Sequence, residues 1–265
     1  MFANILDFLN RSPTDPVRLP LTSSHWPVLT VLTIYMVFIK VVGPMFMRNR
    51  KAYDLHKVIQ AYNIVQIVYN TVLLVVGVYF MLGPGNYNFK CISNLPLDHE
   101  YKNLERWLSY LYFFNKFMDL METIFFVLRK KDRQISFLHV FHHVNMVYIG
   151  FMYLYYYGYG GHGFFVISFN MIVHIMMYTY YYQSSLNRDL QGDLWWKKYI
   201  TIVQLIQFGI ILSHSVYTLK QPDCITSRFS ATWASIVSVI FIILFSNFYV
   251  NTYILPQKKA KKTLR

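Results

Sequence analysis

The sequence predicts an all-α membrane protein with seven spanning helices, and three observations carry that prediction. First, 55% of the 265 residues are hydrophobic, 14% are charged, and the mean hydropathy is +0.31. A soluble domain of this size needs more polar residues to cover its surface, and a disordered chain needs low hydrophobicity and high charge. Second, seven apolar stretches reach about 20 residues, enough to cross a bilayer as a helix. Third, the Lys and Arg residues form short clusters between those stretches, mainly on alternate connections.

The expected spans are 26–47, 58–82, 107–128, 135–157, 163–183, 199–219 and 230–255. The remaining 105 residues serve both ends and six connections, too few for a separate soluble domain, so residues 1–265 read as one domain. The first span follows a segment with Pro13, Pro16 and Pro20 but no apolar core, which reads as an uncleaved anchor. The second carries a polar stripe, Asn63, Gln66 and Asn70, read as helix-packing contacts. The third carries Lys116, Asp119 and Glu122 at i, i+3 and i+6, on one helical face. The fourth carries His139, His142 and His143, also aligned on one face, followed by Asn145. The fifth adds Asn170, His174 and Tyr178, and the sixth adds Gln204 and Gln207. The seventh has no ionisable side chain beyond tyrosine. His25, His56, His99 and His162 are expected in loops, and no internal repeat is visible.

Orientation follows from the basic residues, which accumulate in cytoplasmic connections. Segments 48–57, 129–134, 184–198 and 256–265 hold 16 Lys and Arg in 41 residues, whereas the other set holds 7 in 64. The expected N-terminus is therefore lumenal and the C-terminus cytosolic. Cys91 and Cys224 fall on the lumenal side, where an oxidising compartment favours a disulfide. Asn10-Arg11-Ser12 is a glycosylation sequon on that side, weakened by Pro13.

Only Lys40, Lys116, Asp119 and Glu122 are charged within the spans. Lys40 stands near a helix end and can snorkel. The other three, with the histidines, are functional candidates, because ionisable groups are costly in hydrocarbon. Counted along the helices, Glu122 lies roughly 10 Å, His142 roughly 13 Å and His174 roughly 15 Å from the cytosolic ends. One polar chamber reached from the cytosol accounts for all of them. A basic rim of Arg129, Lys130, Lys197 and Lys198 above apolar walls suits an amphiphile with an anionic head, such as an acyl-CoA, a phospholipid or an isoprenyl phosphate.

The formal charge of +13 does not point to nucleic acid, because the basic residues lack a solvated face with base-reading groups. A metal-dependent lipid oxidase is one alternative, since His pairs at this spacing ligate iron. Two-iron enzymes of that kind need about eight histidines in three boxes, and one box is present; a single metal held by His and carboxylate stays open. The reading adopted has no metal and no cofactor. A seven-helix receptor is the other alternative, although span seven ends Asn247-Phe-Tyr-Val-Asn-Thr-Tyr-Ile-Leu-Pro256 without a receptor-like pattern. A transporter is disfavoured by the missing repeat.

Lys116-Phe-Met-Asp119-Leu-Met-Glu122-Thr123, the His139–His143 box, Asn170-Met-Ile-Val-His174-Ile-Met-Met-Tyr178 and Thr201-Ile-Val-Gln204-Leu-Ile-Gln207 occur in that order. Together with Leu194-Trp195-Trp196-Lys197-Lys198-Tyr199, this arrangement resembles the very-long-chain fatty-acid elongase family of the endoplasmic reticulum, over about residues 26–255. The resemblance implies seven helices around a substrate tunnel. It also implies condensation of an acyl-CoA with malonyl-CoA, releasing carbon dioxide and CoA and leaving a 3-oxoacyl-CoA. The implied partners are acyl-CoA, malonyl-CoA and membrane lipid; association with the other enzymes of the cycle or with a second copy in a homo-oligomer stays open. The family usually reads Lys-x-x-Glu-x-x-Asp-Thr in the third span; here the acids are exchanged, so each carboxylate changes reach by one methylene. The tail Lys258-Lys259-Ala-Lys261-Lys262-Thr-Leu-Arg265 resembles a dilysine retrieval signal at non-standard spacing.

Both cysteines fall on the side away from the chamber, so the expected acyl acceptor is an imidazole, which attacks thioesters. His142 is the expected nucleophile and His174 the base, with His139 and His143 orienting and stabilising charge. Asp119 or Glu122 would fix a His tautomer. A reporter fused after Arg265 should be digested by protease added to sealed microsomes; protection of that tag would reverse the orientation.

Overall fold

The computed structural model describes residues 12–187, 194–224 and 228–255. All described secondary structure is helical, and no strand occurs among these residues. Asn10 of the sequon and the basic tail from Gln257 lie outside them. The helices are α1 (His25–Met47), α2 (His56–Leu82), α3 (Lys102–Asp119), α4 (Met121–Leu128), α5 (Phe137–Tyr156), α6 (His162–Leu186), α7 (Leu194–Leu219) and α8 (Arg228–Tyr249). Five are long and apolar enough to cross a membrane: α1, α2, α6, most of α7 (Trp196–Leu219), and α8 with its continuation to Ile254.

The expected third span, 107–128, is helical with one interruption. The helix divides at Leu120, whose amide bonds the Phe117 carbonyl at 3.2 Å, one residue short of the α-helical partner. Lys116 and Asp119 therefore end α3, and Glu122 opens α4. Three of the four histidines expected in loops, His25, His56 and His162, instead begin helices α1, α2 and α6.

The chain forms two compact units, residues up to Tyr53 with Asn94–Gly163, and Asp54–Ser93 with residues from Phe164 onward. In the first unit, Val28, Leu32 and Tyr35 of α1, Phe113 of α3, and Val147 and Phe151 of α5 form the core. Pro44 is tolerated late in α1 because the preceding turn, Phe38–Val42, is π-helical and relaxes the ladder that a proline interrupts. Gly43 lets α1 approach α4, since a Cβ there would stand 2.7 Å from Val127 Cγ1. At one end of this unit, buried charges tie the loops. Arg106 Nε donates to Asp15 Oδ2 at 2.9 Å, and Lys102 Nζ to Glu105 Oε2 at 2.6 Å. Glu105 Oε1 also accepts from Leu95 N at 3.0 Å. Gly160, at φ +90°, is needed there, because a side chain would collide with Glu105.

In the second unit, α2 is polar inside and apolar outside. Asn63, Gln66 and Asn70 are buried, while Ile64, Val65, Val68, Val72 and Val75 are exposed. That inversion is what a helix needs when its outer solvent is hydrocarbon, which cannot hydrogen-bond. α7 and α8 pack through Phe208, Phe241 and Phe245. Cys91 and Cys224 are joined across 133 residues of chain. His214 stacks on Phe165 with ring centroids 3.8 Å apart, and its Nε2 lies 2.9 Å from the Phe89 carbonyl.

The bridge closes a long loop in the unfolded chain. Cys224→Ser should lower stability by roughly 2–5 kcal/mol, read as a lower thermal midpoint. Reductant should reproduce the effect in the wild type and add nothing in the variant. Alkylation of both thiols in denatured, unreduced protein would contradict the bridge.

Candidate active site

The histidine helix begins where the sequence places a cap. Ser136 Oγ accepts from the His139 amide at 3.2 Å, fixing the start of α5 so that His139, His142 and His143 occupy its first two turns. The rings of His139 and His143 are 4.4 Å apart, and those of His142 and His143 5.3 Å. His143 is buried, whereas His139 and His142 are half-buried.

Thr123 and Tyr35 complete this corner. Tyr35 donates its hydroxyl to Thr123 Oγ1 at 2.7 Å, and Thr123 Oγ1 lies 2.9 Å from His139 Nε2. The Thr123 hydroxyl thus links Tyr35 to the His139 ring. His143 Nε2 is 3.9 Å from Glu122 Oε2. Glu122, on α4, thus lies beside a ring of the histidine box, and Asp119 accepts from Lys116. Glu122, His139 and His143 each bring one ligand-capable atom within 4.8 Å of the others, a donor set suited to a divalent cation such as zinc.

Asp119 Oδ2 accepts from Lys116 Nζ at 2.8 Å, and both side chains are almost fully buried. The ammonium also lies 4.7 Å from the centroid of the Tyr112 ring. The sequence places Lys116 among the substrate-binding cations; its ammonium is here held by an internal acid. Asn145, expected to bind substrate, donates its amide to the Phe141 carbonyl of its own helix at 2.7 Å.

In the second unit, Asn170, His174 and Tyr178 lie buried along one stripe of α6. The His174 and Tyr178 rings meet edge to face, 5.7 Å apart, and the Tyr178 hydroxyl is 3.3 Å from that of Tyr62 on α2. Gln66 donates to the Tyr62 hydroxyl at 2.9 Å. Gln207 is buried on α7, with Gln204 half-buried beside it. Tyr62 and Gln66 were missed as site residues because their helix reads as ordinary packing. Tyr35 and Tyr112 belong to no motif that would single them out in the sequence. Thr123 was legible only as the last residue of a motif.

Of the basic residues expected to bind substrate, Lys197 is exposed and Lys198 half-buried, its Nζ 6.0 Å from the centroid of the Tyr249 ring. Arg129 caps α4, its amide bonding the Phe125 carbonyl at 3.0 Å. Lys130 follows at φ +54°, in the left-handed region that glycine usually fills at a helix end.

The GNS1/SUR4 family profile matches residues 20–261. The chain is 51% identical over 253 residues to "Very long chain fatty acid elongase F" of Drosophila simulans, covering 95% of this chain and 96% of that protein. It is 49% identical over 251 residues to the protein of the same name from Drosophila melanogaster, covering 95% and 98%. It is also 36% identical over 253 residues to human "Very long chain fatty acid elongase 4", covering 92% and 77%.

Asp119→Leu should destabilise the protein by about 3–5 kcal/mol, because it strands the Lys116 charge in the interior. Lys116→Met combined with Asp119→Leu should recover most of that loss in a thermal melt without recovering turnover. Equal instability of the single and double variants would show that the pair is not coupled.

Proposed function

The chain belongs to the ELO (GNS1/SUR4) family, and from that premise we infer that it is the condensing enzyme of fatty-acid elongation. It joins a long-chain acyl-CoA to malonyl-CoA with loss of carbon dioxide, giving a 3-oxoacyl-CoA and CoA. The observation that carries this reading is the family match over residues 20–261, which encompasses every candidate catalytic side chain. Neither the metal-dependent oxidase nor the receptor finds support among the relatives.

The membrane arrangement we propose has seven spans around an acyl tunnel. The two beyond the five apolar helices are α3 with α4, and α5. From Lys102 to Leu128 the chain extends ~40 Å as helix, and α5 ~30 Å, enough for a hydrocarbon core of about 30 Å. Their hydropathy is depressed by the side chains the site requires: Lys116, Asp119 and Glu122 on one, three histidines and several tyrosines on the other. The charge bias supports a lumenal N-terminus and a cytosolic C-terminus in the endoplasmic reticulum. The Cys91–Cys224 bridge supports an oxidising compartment on the side opposite the basic rim.

In the proposed mechanism His142 attacks the acyl thioester carbonyl. The carbonyl π electrons move to oxygen, then return as the carbon–sulfur bond breaks, and CoA leaves as a thiolate that takes up a proton. Malonyl-CoA loses carbon dioxide, and the electron pair of the broken carbon–carbon bond becomes an enolate. Its carbon attacks the acyl-imidazole, and the His142 nitrogen leaves. His174 acts as the base, and His139 and His143, with rings held by Thr123 and Glu122, stabilise charge on the carbonyl oxygen. Arg129, Lys130, Lys197 and Lys198 bind the CoA phosphates, with Asn170, Tyr178, Gln204 and Gln207 as neutral hydrogen-bonding groups. No metal or cofactor takes part, and the Glu122–His139–His143 set works as an orienting network. Other enzymes must supply the acyl-CoA and reduce the 3-oxo product.

Acyl transfer as a first step predicts CoA release from acyl-CoA alone, with the enzyme's mass increased by the acyl group. His142→Ala should abolish both, and a divalent-cation chelator should leave them unchanged. Product formation without either signal would favour a ternary complex in which histidine is only a base. Loss of turnover on chelation, restored by zinc, would overturn the metal-free reading.

A further inference from the structure

The inward face of α2 carries three amides, Asn63, Gln66 and Asn70, at i, i+3 and i+7. Two of them are engaged internally. Asn70 Nδ2 donates to the Gln66 carbonyl at 2.8 Å and lies 3.2 Å from Gln66 Oε1. Gln66 Nε2 donates to the Tyr62 hydroxyl, which meets Tyr178 beside His174. Asn63 differs. Its side chain is 2% exposed, and its Nδ2 has no hydrogen-bond partner among the described residues.

Helix packing does not account for that amide. A polar residue holds helices together in a membrane through the hydrogen bond it makes across the interface, and Asn63 Nδ2 makes none with the described residues. Buried donors are paired in the great majority of cases, so an orphan is informative. The outer face of α2 offers it nothing, because that face is apolar. The atom is a donor only, so its complement is an acceptor or an anion, not a cation. Tyr62, the preceding residue, connects the same stretch of α2 to the stripe that carries His174.

We propose that Asn63 is an oxyanion donor: its amide N–H binds the thioester carbonyl oxygen of a CoA substrate as that oxygen gains charge. The proposal rests on the condensing function above. Charge develops on such an oxygen twice. In the acyl half-reaction, imidazole attack moves the carbonyl π electrons onto oxygen before CoA leaves. In the malonyl half-reaction, loss of carbon dioxide leaves an enolate whose charge resides on the thioester oxygen. A fixed donor in a water-poor site lowers either barrier, because it is oriented before the charge appears. Close packing around Asn63, which is 2% exposed, leaves its side chain few rotamers.

The test uses the full-length enzyme in lipid nanodiscs, with Asn63→Leu as the isosteric variant lacking donors and Asn63→Gln as the variant keeping them. One arm measures CoA release from acyl-CoA alone, and the other measures 3-oxoacyl-CoA formed with malonyl-CoA. Asn63→Leu should lower kcat on the order of 10²–10³-fold, with KM and the thermal midpoint little changed. Asn63→Gln should recover at least about tenfold of that loss. A loss in both arms assigns the acyl thioester, and a loss confined to condensation assigns the malonyl thioester. Activity of Asn63→Leu within about threefold of wild type in both arms would overturn the proposal. If Asn63→Leu does not fold, Asn63→Met against Asn63→Gln carries the same comparison, and equal kcat values would overturn it. A wild-type enzyme that forms no 3-oxoacyl-CoA would instead sink the condensing function and this inference with it.

Discussion

Hydrocarbon gives a polar group nothing to bond to, and the arrangement of this chain follows from that constraint. On α2 it turns the usual order of a soluble helix inside out, with Asn63, Gln66 and Asn70 buried and valines outward. On α3 it couples Lys116 to Asp119, because neither charge is tolerable there alone. It also explains the many hydroxyl contacts: Tyr35 to Thr123, Tyr62 to Tyr178, and Thr123 to His139. Each satisfies a group that has no water to turn to.

The same constraint sets stability against function. The helices that carry the histidine box and the buried acids, α3 with α4 and α5, are not among the five apolar enough to cross a membrane by composition. They carry the ionisable groups, and their polar faces have to be covered by protein. The first unit secures them in two ways. Its apolar core joins α1, α3 and α5 through Val28, Phe113 and Phe151. Its loops are tied by the Asp15–Arg106 and Lys102–Glu105 pairs, with Gly160 leaving room for Glu105. In the second unit the Cys91–Cys224 bridge does the corresponding work, joining the segment after α2 to the segment after α7.

The exchanged acids of the third span acquire a meaning from their partners. The shorter Asp119 pairs with Lys116 one turn earlier on the same helix, while the longer Glu122, beyond the break at Leu120, stands 3.9 Å from His143. One carboxylate is occupied in neutralising a buried cation, and the other lies beside the imidazole cluster.

Helix positions, the polar stripes and the family itself were legible in the sequence, because each depends on local periodicity and composition. The apolar stretches located every described long helix to within a few residues, since a membrane crossing needs a fixed length of apolar chain. The His139–His143 spacing fixed which rings share a face, because 3.6 residues make a turn. Tertiary structure alone decided the partners. The break at Leu120 has no proline or glycine to announce it. That Tyr35, from a helix about 90 residues earlier, holds Thr123 depends on how α1 and α4 meet within the first unit. That Asn63 Nδ2 finds no partner among the described residues while Gln66 and Asn70 are satisfied depends on which neighbours each amide meets. Periodicity gives the direction a side chain leaves its helix; only packing between helices determines what waits there.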